Sequence, residues 1–213
     1  MKRKDIPKVI EILKEEYRKG NAPVVTLIAE RSKEPFKVLV SALISTRTRD
    51  ETTVKVVKKL FSKVKSPKDL IDIPIEELER LLYPVGFYRN KAKFLKELAY
   101  QLEDKFGGKV PDKIEDLLRL KGVGRKVATL VLSDGYGKDY ICVDTHVHRI
   151  VNRWCLVKTK KPEETEKELM KVIPKKYWRQ INKLLVAFGQ RICTPLNPAC
   201  FRCPIERYCG KCL

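Results

Sequence analysis

The sequence has 213 residues, enough for one large domain or two small ones with a hydrophobic core. Hydrophobic residues make up 43% of it, which excludes a disordered chain. With 46 Lys and Arg against 27 Asp and Glu, the formal net charge is +19. Such an excess repels itself unless a polyanion offsets it, so nucleic acid is the first partner to consider and a membrane surface the second. No apolar run approaches the ~20 residues that span a bilayer, and the charged N-terminal segment is unlike a signal peptide, so we expect a soluble cytoplasmic protein.

The chain is predicted to be mostly helical, without a strand pattern or an internal repeat. Pro35 to Ser45 is almost continuously apolar, as in a buried helix, and Gly107-Gly108 is a typical helix end. Short helices joined by tight turns favour an orthogonal all-α fold over a long bundle. The predicted helices cover Ile6 to Lys19, Pro35 to Ser45, Glu51 to Phe61, two segments that start near Ser66 and Ile73, Arg89 to Phe106, Asp112 to Leu120, Arg125 to Leu132, Thr145 to Trp154, Glu163 to Val172 and Tyr177 to Gly189.

A glycine hairpin, Gly122-Val123-Gly124, joins two of the short helices. Glycines two apart allow positive φ and a very tight turn, and Val123 is expected to point back into the core. The turn ends at a helix N-terminus, where free N–H groups and the positive end of the dipole favour a phosphate and bind a DNA backbone without reading bases. Alone, the pattern favours a plain helix–helix turn, but the net charge shifts the interpretation to phosphate binding. The cations that flank the turn are Lys121, Arg125 and Lys126.

Lys126 lies in the first turn of the helix that follows this hairpin. Most lysines of such a chain are solvated cations, because a lysine pKa of ~10.4 leaves only about one in a few thousand neutral at pH 7. A nucleophilic lysine needs a lowered pKa, and burial, neighbouring cations and the positive end of a helix all act in that direction. Its place beside Arg125 therefore makes Lys126 a candidate nucleophile, although position alone does not prove the role.

Asp144 directly precedes the helix predicted to begin at Thr145. An N-cap is at least as good an interpretation as a catalytic carboxylate, and the two are compatible because a capping side chain is held rigidly. The only two histidines, His146 and His148, are two residues apart and diverge on a helix, which disfavours a shared metal. We interpret them as packing or polar-contact residues.

The seven cysteines are more than such a chain needs, and five of them fall in the last 21 residues, which indicates a metal or cluster site there. In a reducing cytosol they are not expected to form disulfides. Cys142 and Cys155 lie outside this region, and we interpret them as small apolar residues in packed segments.

The C-terminal cysteines follow the pattern C-x6-C-x2-C-x5-C, with a further cysteine beyond it. Two pairs have the spacing of zinc knuckles, but zinc ribbons usually separate their knuckles by ~15–20 residues and here only five residues intervene. Compact thiolate runs are more typical of iron–sulfur clusters, so the spacing favours a cluster over zinc, with the choice of Cys209 or Cys212 as fourth ligand open. The five cysteines are Cys193, Cys200, Cys203, Cys209 and Cys212.

Together these features resemble endonuclease III, in the helix-hairpin-helix DNA glycosylase superfamily of iron–sulfur type. The resemblance covers about Pro35 to Cys209. It implies an all-α, bilobal fold, with a six-helix barrel that contains the hairpin at 27–138 and a helical 4Fe–4S cluster domain formed by 1–26 and 139–213. The matching motifs are Leu43-Ile44-Ser45 with Asp50, Val85-Gly86-Phe87-Tyr88 before Lys91-Ala92, Gly122-Val123-Gly124-Arg125-Lys126, Val143-Asp144-Thr145-His146 and the four-cysteine loop.

The resemblance also implies a bifunctional DNA glycosylase and abasic-site lyase of base excision repair, present as a nucleoid-associated monomer. Its substrate would be double-stranded DNA that carries oxidised pyrimidines or abasic sites. The damaged base is flipped out at a cost of a few kcal/mol. Lys126 then attacks the sugar C1′ and expels the base, while Asp144 stabilises the cationic sugar. The resulting Schiff base permits β-elimination, which nicks the strand.

Two further groups of residues take their roles from the resemblance. The cluster would be structural and would contact DNA, and its ligation would leave Cys212 spare. Its ligands would be Cys193, Cys200, Cys203 and Cys209. The implied DNA contacts are Lys121, Gly122, Val123, Gly124, Arg125, Arg47 and Phe87.

Two positions depart from the common family pattern. Many relatives have a glutamine after Ser45 that fills the gap left by the flipped base, and here Arg47 stands at that position. Phe87 stands where a leucine wedge is common. These changes leave the opposite-base preference and the lesion range open.

Three rival functions remain at this point. Adenine and mismatch-thymine glycosylases of the same superfamily generally lack a lysine at the position of Lys126. A non-catalytic DNA-binding module would need neither Lys126 nor Asp144. A zinc-binding nucleic-acid adaptor would differ from a cluster protein in its colour and iron content.

Overall fold

The computed structural model describes residues 1–20, 23–32 and 34–212, and within these residues the chain forms helices and no strand. It divides into two compact units. One unit consists of Met1–Pro23 and Asp139–Leu213, and the other of Val24–Lys138. The boundaries drawn from the family resemblance differ from this division by three residues at the first junction, 27 against 24, and agree at 138.

The unit of residues 24–138 contains eight α-helices in its described part, with the apolar helix α3 at its centre. Because α3 is apolar on nearly all sides, it is buried rather than amphipathic, and Val38, Leu39, Val40 and Ile44 have no exposed surface. Pro35 at its first position is tolerated because that N–H has no partner within the helix. The helices are α2 (Val24–Ser32), α3 (Pro35–Ser45), α4 (Asp50–Phe61), α5 (Pro67–Asp72), α6 (Ile75–Leu82), α7 (Tyr88–Phe106), α8 (Ile114–Arg119) and α9 (Arg125–Leu130).

Local signals explain most of these boundaries. Ser66 caps α5 with its side chain, and Asp69 returns a bond to the Ser66 N–H, which is a capping box. The Lys65 N–H also donates to the Asp69 carboxylate, and these backbone bonds lower the pKa of Asp69. The longest helix, α7, ends at Gly107 in the left-handed conformation, the common helix terminator.

Two features of this unit were not predicted. Helix α2 was missed because its segment is short and rich in β-branched residues, which lower helix propensity. Beyond α9, the chain continues as a π-helical turn over Val131–Gly135 instead of an α-helix to Leu132. This turn packs on the start of α3, where a Cβ added at Gly135 would lie 3.1 Å from the Pro35 Cα.

The other unit has four α-helices in its described residues. As predicted, the N-terminal helix packs with C-terminal helices: α1 contacts α12, which also contacts α10. Their amphipathic faces meet in one apolar core, which includes Ile10, Leu13, Val147, Ile150 and Leu185. The helices are α1 (Ile6–Arg18), α10 (Thr145–Arg153), α11 (Pro162–Val172) and α12 (Trp178–Arg191).

The predicted helices other than the segment after α9 begin and end within two residues of those observed, and the two segments for which only a start was predicted begin within two residues of α5 and α6. Across the described part of the chain, none of the helices combines the length and the apolar character that crossing a membrane requires.

Candidate functional site

The glycine hairpin lies between α8 and α9, as expected, but its two glycines differ in conformation. Gly122 has φ 80°, in the left-handed region, whereas Gly124 has φ −86° and ψ 173°, which any residue adopts. Of the two glycines, Gly122 is therefore the one that uses the positive φ that glycine allows. Val123 points into the core and is only 5% exposed, as predicted.

Within the described residues, neither the backbone angles of Gly124 nor a neighbouring atom would prevent a side chain at this position. None of their heavy atoms lies within 4 Å of a Cβ added at Gly122 or Gly124, so both glycines face open space. Left-handed geometry explains the glycine at Gly122. At Gly124, a bare backbone instead permits the close approach of a ligand, which is a common use of glycine.

Lys121 anchors the hairpin to the long helix α7. Its ammonium forms a salt bridge with Glu97 at 2.7 Å, and its backbone N–H donates to the Gln101 Oε1 at 2.8 Å. This candidate DNA contact therefore already has a carboxylate partner. These two bonds hold the start of the hairpin against α7.

Lys126 occupies the first turn of α9, and its side chain is exposed. Burial, one of the three factors considered for a nucleophilic lysine, is therefore not supplied within its own unit. The hydroxyl of Thr129 donates to the carbonyl groups of Arg125 and Lys126, which reinforces the turn that carries the amine.

Asp144 belongs to the other unit and caps α10. Its Oδ1 accepts a hydrogen bond from the Val147 N–H at 2.9 Å, so the N-cap interpretation is confirmed. The half-buried carboxylate is thereby fixed in direction. The catalytic interpretation remains compatible with this geometry.

The two histidines contact different partners, as expected from their spacing. His146 Nδ1 lies 3.0 Å from an Arg149 guanidinium nitrogen. His148 Nδ1 lies 2.6 Å from the Thr165 Oγ1. Their interpretation as polar-contact residues is confirmed.

Arg47 and Phe87 lie on two adjacent turns, which we call the paired turns: Thr46–Thr48 after α3, and Val85–Phe87 before α7. The Arg47 guanidinium carbon lies 5.8 Å from the centre of the Phe87 ring, and that ring is 62% exposed. Beside them is a cavity of about 390 Å³ that extends to Gly122 of the hairpin. The structure thus brings Arg47, Phe87 and the hairpin to one surface of their unit.

Lys91 also lines this cavity, and sequence reasoning did not identify it as a site residue. It had appeared only within a family motif. A buried lysine four residues after an exposed aromatic residue has no local signature, so only its contacts reveal a role.

The four candidate ligands Cys193, Cys200, Cys203 and Cys209 line one cavity of about 210 Å³. Burial, together with the charges of the other three thiols, raises the pKa of the Cys203 thiol to about 11. Four thiols that influence one another around a cavity fit a multi-atom group. No three Cys, His, Asp or Glu side chains within the described residues are close enough to hold a single metal ion.

Cys155 and Cys212 form a disulfide, so the expectation of reduced cysteines is wrong for this pair. The C-terminal segment forms backbone bonds with the end of α10: the Cys212 N–H donates to the Arg153 carbonyl, and the Gly210 N–H to that of Trp154. These bonds hold the two thiols together despite 57 residues of separation. Cys212 is therefore not spare, and Cys209 is the one of the two open candidates that lines the cavity.

Comparison with known proteins places this geometry in a well-populated group. Residues 40–175 match the family model described as HhH-GPD superfamily base excision DNA repair protein. Endonuclease III of Thermotoga maritima is 48% identical over 176 residues, which are 83% of this chain and 83% of that protein. Endonuclease III-like protein 1 of Mus musculus is 39% identical over 202 residues, 90% of this chain and 67% of that protein.

Solved structures agree with these sequence matches. A trapped covalent intermediate of endonuclease III with DNA has a TM-score of 0.87 at 33% identity, and the match covers 99% of this chain and 97% of that one. A thermostable thymine-DNA glycosylase has a TM-score of 0.86 at 23% identity, covering 98% and 96% respectively. The second likeness concerns the fold alone.

Proposed function

The chain belongs to the endonuclease III family, within the helix-hairpin-helix superfamily of base excision DNA repair proteins, and from this premise we propose that it is a bifunctional glycosylase and abasic-site lyase whose nucleophile is Lys126. The family makes it a DNA glycosylase, and its partner is DNA. The lyase step, the lesions and the cofactor are the subject of the proposal.

The observation that carries the proposal is the exposed amine of Lys126 directly after the open hairpin. The hairpin backbone, bare at Gly122 and Gly124, would hold a phosphate beside this amine. An endonuclease III similar to this chain has been trapped as a covalent intermediate with DNA, which supports a covalent step.

In the proposed reaction, the neutral amine of Lys126 attacks C1′ of the flipped nucleotide, and the C1′–N bond breaks with its electron pair leaving on the base. The sugar ring then opens to a Schiff base. Loss of a C2′ proton and cleavage of the C3′–O bond complete the β-elimination. Asp144 is assigned the stabilisation of the cationic sugar, a role helped by the capping bond that fixes its carboxylate.

Borohydride trapping on abasic-site DNA tests the role of Lys126. The wild type should give a covalent adduct, and Lys126→Ala should give none. Lys113→Ala is the matched control, because Lys113 is also exposed and precedes the neighbouring helix α8 without a capping bond, so it should trap like the wild type. An equal adduct yield in Lys126→Ala would remove this lysine from the mechanism.

We also propose that Cys193, Cys200, Cys203 and Cys209 hold a 4Fe–4S cluster. The support is their arrangement around one cavity and the half-buried Cys203 thiol, whose raised pKa means that it needs a cationic partner to be held as a thiolate. When bound, the cluster would supply a structural cross-link for its loop. Iron, sulfide and zinc analysis of the purified protein tests this: about four iron atoms per chain support a cluster, and zinc without iron overturns it.

The proposed substrates are oxidised pyrimidines and abasic sites in duplex DNA, processed by a monomer. Excision assays on matched duplexes that contain thymine glycol or a thymine–guanine mismatch separate this proposal from the mismatch-specific alternative. Faster release of thymine than of thymine glycol would overturn the assigned substrate class. Light scattering in the presence and absence of DNA measures the oligomeric state.

A further inference from the structure

We propose that Lys91 is a positioning residue for lesion recognition, which locks the paired turns together so that Arg47 and Phe87 meet the DNA as one rigid pair. The inference rests on the proposed function, since it takes the paired turns as a DNA contact. Lys91 itself touches no nucleotide in this scheme. It acts through the backbone of the two turns.

The first support is the set of hydrogen bonds that the Lys91 ammonium donates. Its Nζ lies 2.7 Å from the Ile44 carbonyl oxygen, 2.6 Å from that of Thr46 and 3.1 Å from the Thr48 Oγ1. All three acceptors belong to the end of α3 and the first turn. A helix leaves its last carbonyl groups without partners and carries its negative dipole end there, so a cation is favoured at this place.

The second support is that Lys91 is also tied to the other turn. It lies in the first turn of α7, and its backbone N–H donates to the Phe87 carbonyl at 3.0 Å. The two turns nearly touch, because a Cβ added at Gly86 would lie 3.0 Å from the Arg47 carbonyl oxygen. One residue therefore bonds to both turns, with its backbone to one and its side chain to the other.

The third support is the backbone conformation of the residues presented. Arg47 has φ 52° and Phe87 has φ 58°, both in the left-handed region that non-glycine residues rarely adopt. Such conformations are unfavourable for residues with a Cβ and persist only where the surroundings enforce them, most often at functional sites. The bonds of Lys91 to both turns provide that enforcement.

The burial of the Lys91 ammonium costs free energy, because a charged group loses its hydration. The residue is 8% exposed, and burial lowers its pKa to about 8. Its hydrogen-bond acceptors are neutral oxygens, so among the described residues the charge is compensated by dipoles and not by a carboxylate. An apolar side chain would fill the same space without the free-energy cost of burying a charge, but it would supply no directed bonds to the first turn.

Lys96 on the same helix provides a matched control. Its ammonium donates to the carbonyl groups of Ile71, at 2.6 Å, and Ile73, at the end of α5. It thus performs the same kind of helix-end capping away from Arg47 and Phe87. A purely structural role for such a lysine would give the two substitutions similar effects.

The test measures single-turnover excision of thymine glycol from duplex DNA in a double-mutant cycle of Lys91→Met and Arg47→Ala. Misplacing recognition groups by about 1 Å costs rates on the order of a hundredfold, so Lys91→Met should slow excision about tenfold to a hundredfold. Lys96→Met should excise at the wild-type rate. In the Arg47→Ala background, Lys91→Met should slow excision by a smaller factor than it does in the wild type, because part of its effect is exerted through Arg47.

Three outcomes are decisive. An unchanged excision rate in Lys91→Met, or independent effects that multiply in the double variant, would overturn the inference. Equal losses in Lys91→Met and Lys96→Met would also overturn it, in favour of a purely structural role. Wild-type protein that traps on abasic-site DNA establishes that the proposed function holds, so a failure of the inference is distinguishable from a failure of the function.

Thermal unfolding checks that the variants are folded. Should Lys91→Met unfold, Thr48→Val removes only one acceptor of the Lys91 ammonium and keeps the side-chain volume. This milder variant should slow excision when Arg47 is present, and it should do so by a smaller factor in Arg47→Ala. Equal rates for Thr48→Val and the wild type would then overturn the inference.

Discussion

At the scale of single residues, the two glycines of the hairpin show how one residue type serves two purposes. Gly122 is required by its backbone angle, since φ 80° is strained for any residue with a Cβ. Gly124 has an ordinary angle and open surroundings. The fold therefore does not demand a glycine here, and we propose that its bare backbone serves the approach of DNA.

This difference predicts opposite behaviour for two alanine substitutions. Gly124→Ala should leave the free energy of unfolding within about 0.5 kcal/mol of the wild type or raise it slightly, yet weaken binding to duplex DNA. Gly122→Ala should lower the free energy of unfolding by about 1–2 kcal/mol, because of the left-handed strain. Urea unfolding and fluorescence anisotropy with labelled duplex measure the two properties, and unchanged DNA affinity in Gly124→Ala would contradict the ligand-facing assignment.

Asp144 combines a cap with a charge, and two substitutions separate them. Asp144→Asn keeps a good N-cap and should leave stability nearly unchanged, while slowing base excision about a hundredfold or more because the charge that stabilises the sugar is gone. Asp144→Ala should also lose about 1 kcal/mol of stability with the cap. If a stably folded Asp144→Asn protein excised the base at the wild-type rate, the role of Asp144 would be limited to capping α10.

At the scale of elements, the C-terminal segment owes its position to the end of α10. Arg153 uses its carbonyl to accept from the Cys212 N–H, and its guanidinium donates to the Thr194 and Pro195 carbonyl groups at 2.6 and 2.5 Å. The same guanidinium lies 3.6 Å from the Cys193 Sγ. One helix end thus organises both the cysteine loop and the disulfide beside it.

The Cys155–Cys212 disulfide closes a loop of 57 residues, for which chain entropy predicts a stabilisation of about 4 kcal/mol. Cys155→Ser and Cys212→Ser should each lower the melting temperature. The double variant should be no less stable than either single one, because both remove the same bond. Thermal unfolding with and without a dithiol reductant checks this, and the reductant should have little effect on the serine variants. Additive losses would show that the bond is absent in solution.

At the scale of the whole molecule, the net charge of +19 governs association with DNA. Many lysines and arginines are exposed, and several of them form surface ion pairs that are worth little. The excess of cations is therefore available to a polyanion, and the release of counterions from DNA should dominate affinity.

The resulting prediction concerns salt. Between 50 and 200 mM salt, the association constant for undamaged duplex should fall by about 10³-fold or more if about six phosphates are neutralised. The logarithm of the association constant should decrease linearly with the logarithm of the salt concentration. An association constant that does not change with salt would contradict binding driven by charge. A neutral polymer of similar size serves as the control competitor and should not displace the duplex.

The sequence by itself determined those features that depend on neighbours along the chain. The apolar run of α3, the capping box at Ser66, the cap at Asp144 and the hairpin at Gly122 follow from periodicity, cap preference and glycine geometry, all of which act within a few residues. The cysteine spacing likewise predicted a shared site for the C-terminal thiols but left the fourth one open, and Cys209, which the family resemblance implied, lines the cavity with the other three. Helix α2 is the exception, because its weak local propensity is outweighed by packing against α3.

Only the tertiary structure decided the features that join distant segments. The acceptors of the Lys91 ammonium lie 43 to 47 residues away, and Cys155 bonds to a cysteine 57 residues away. Such pairs leave no periodic signal, because packing of whole elements determines which side chains meet. The same reason explains why a lysine known only from a motif becomes the residue that ties Arg47 to Phe87.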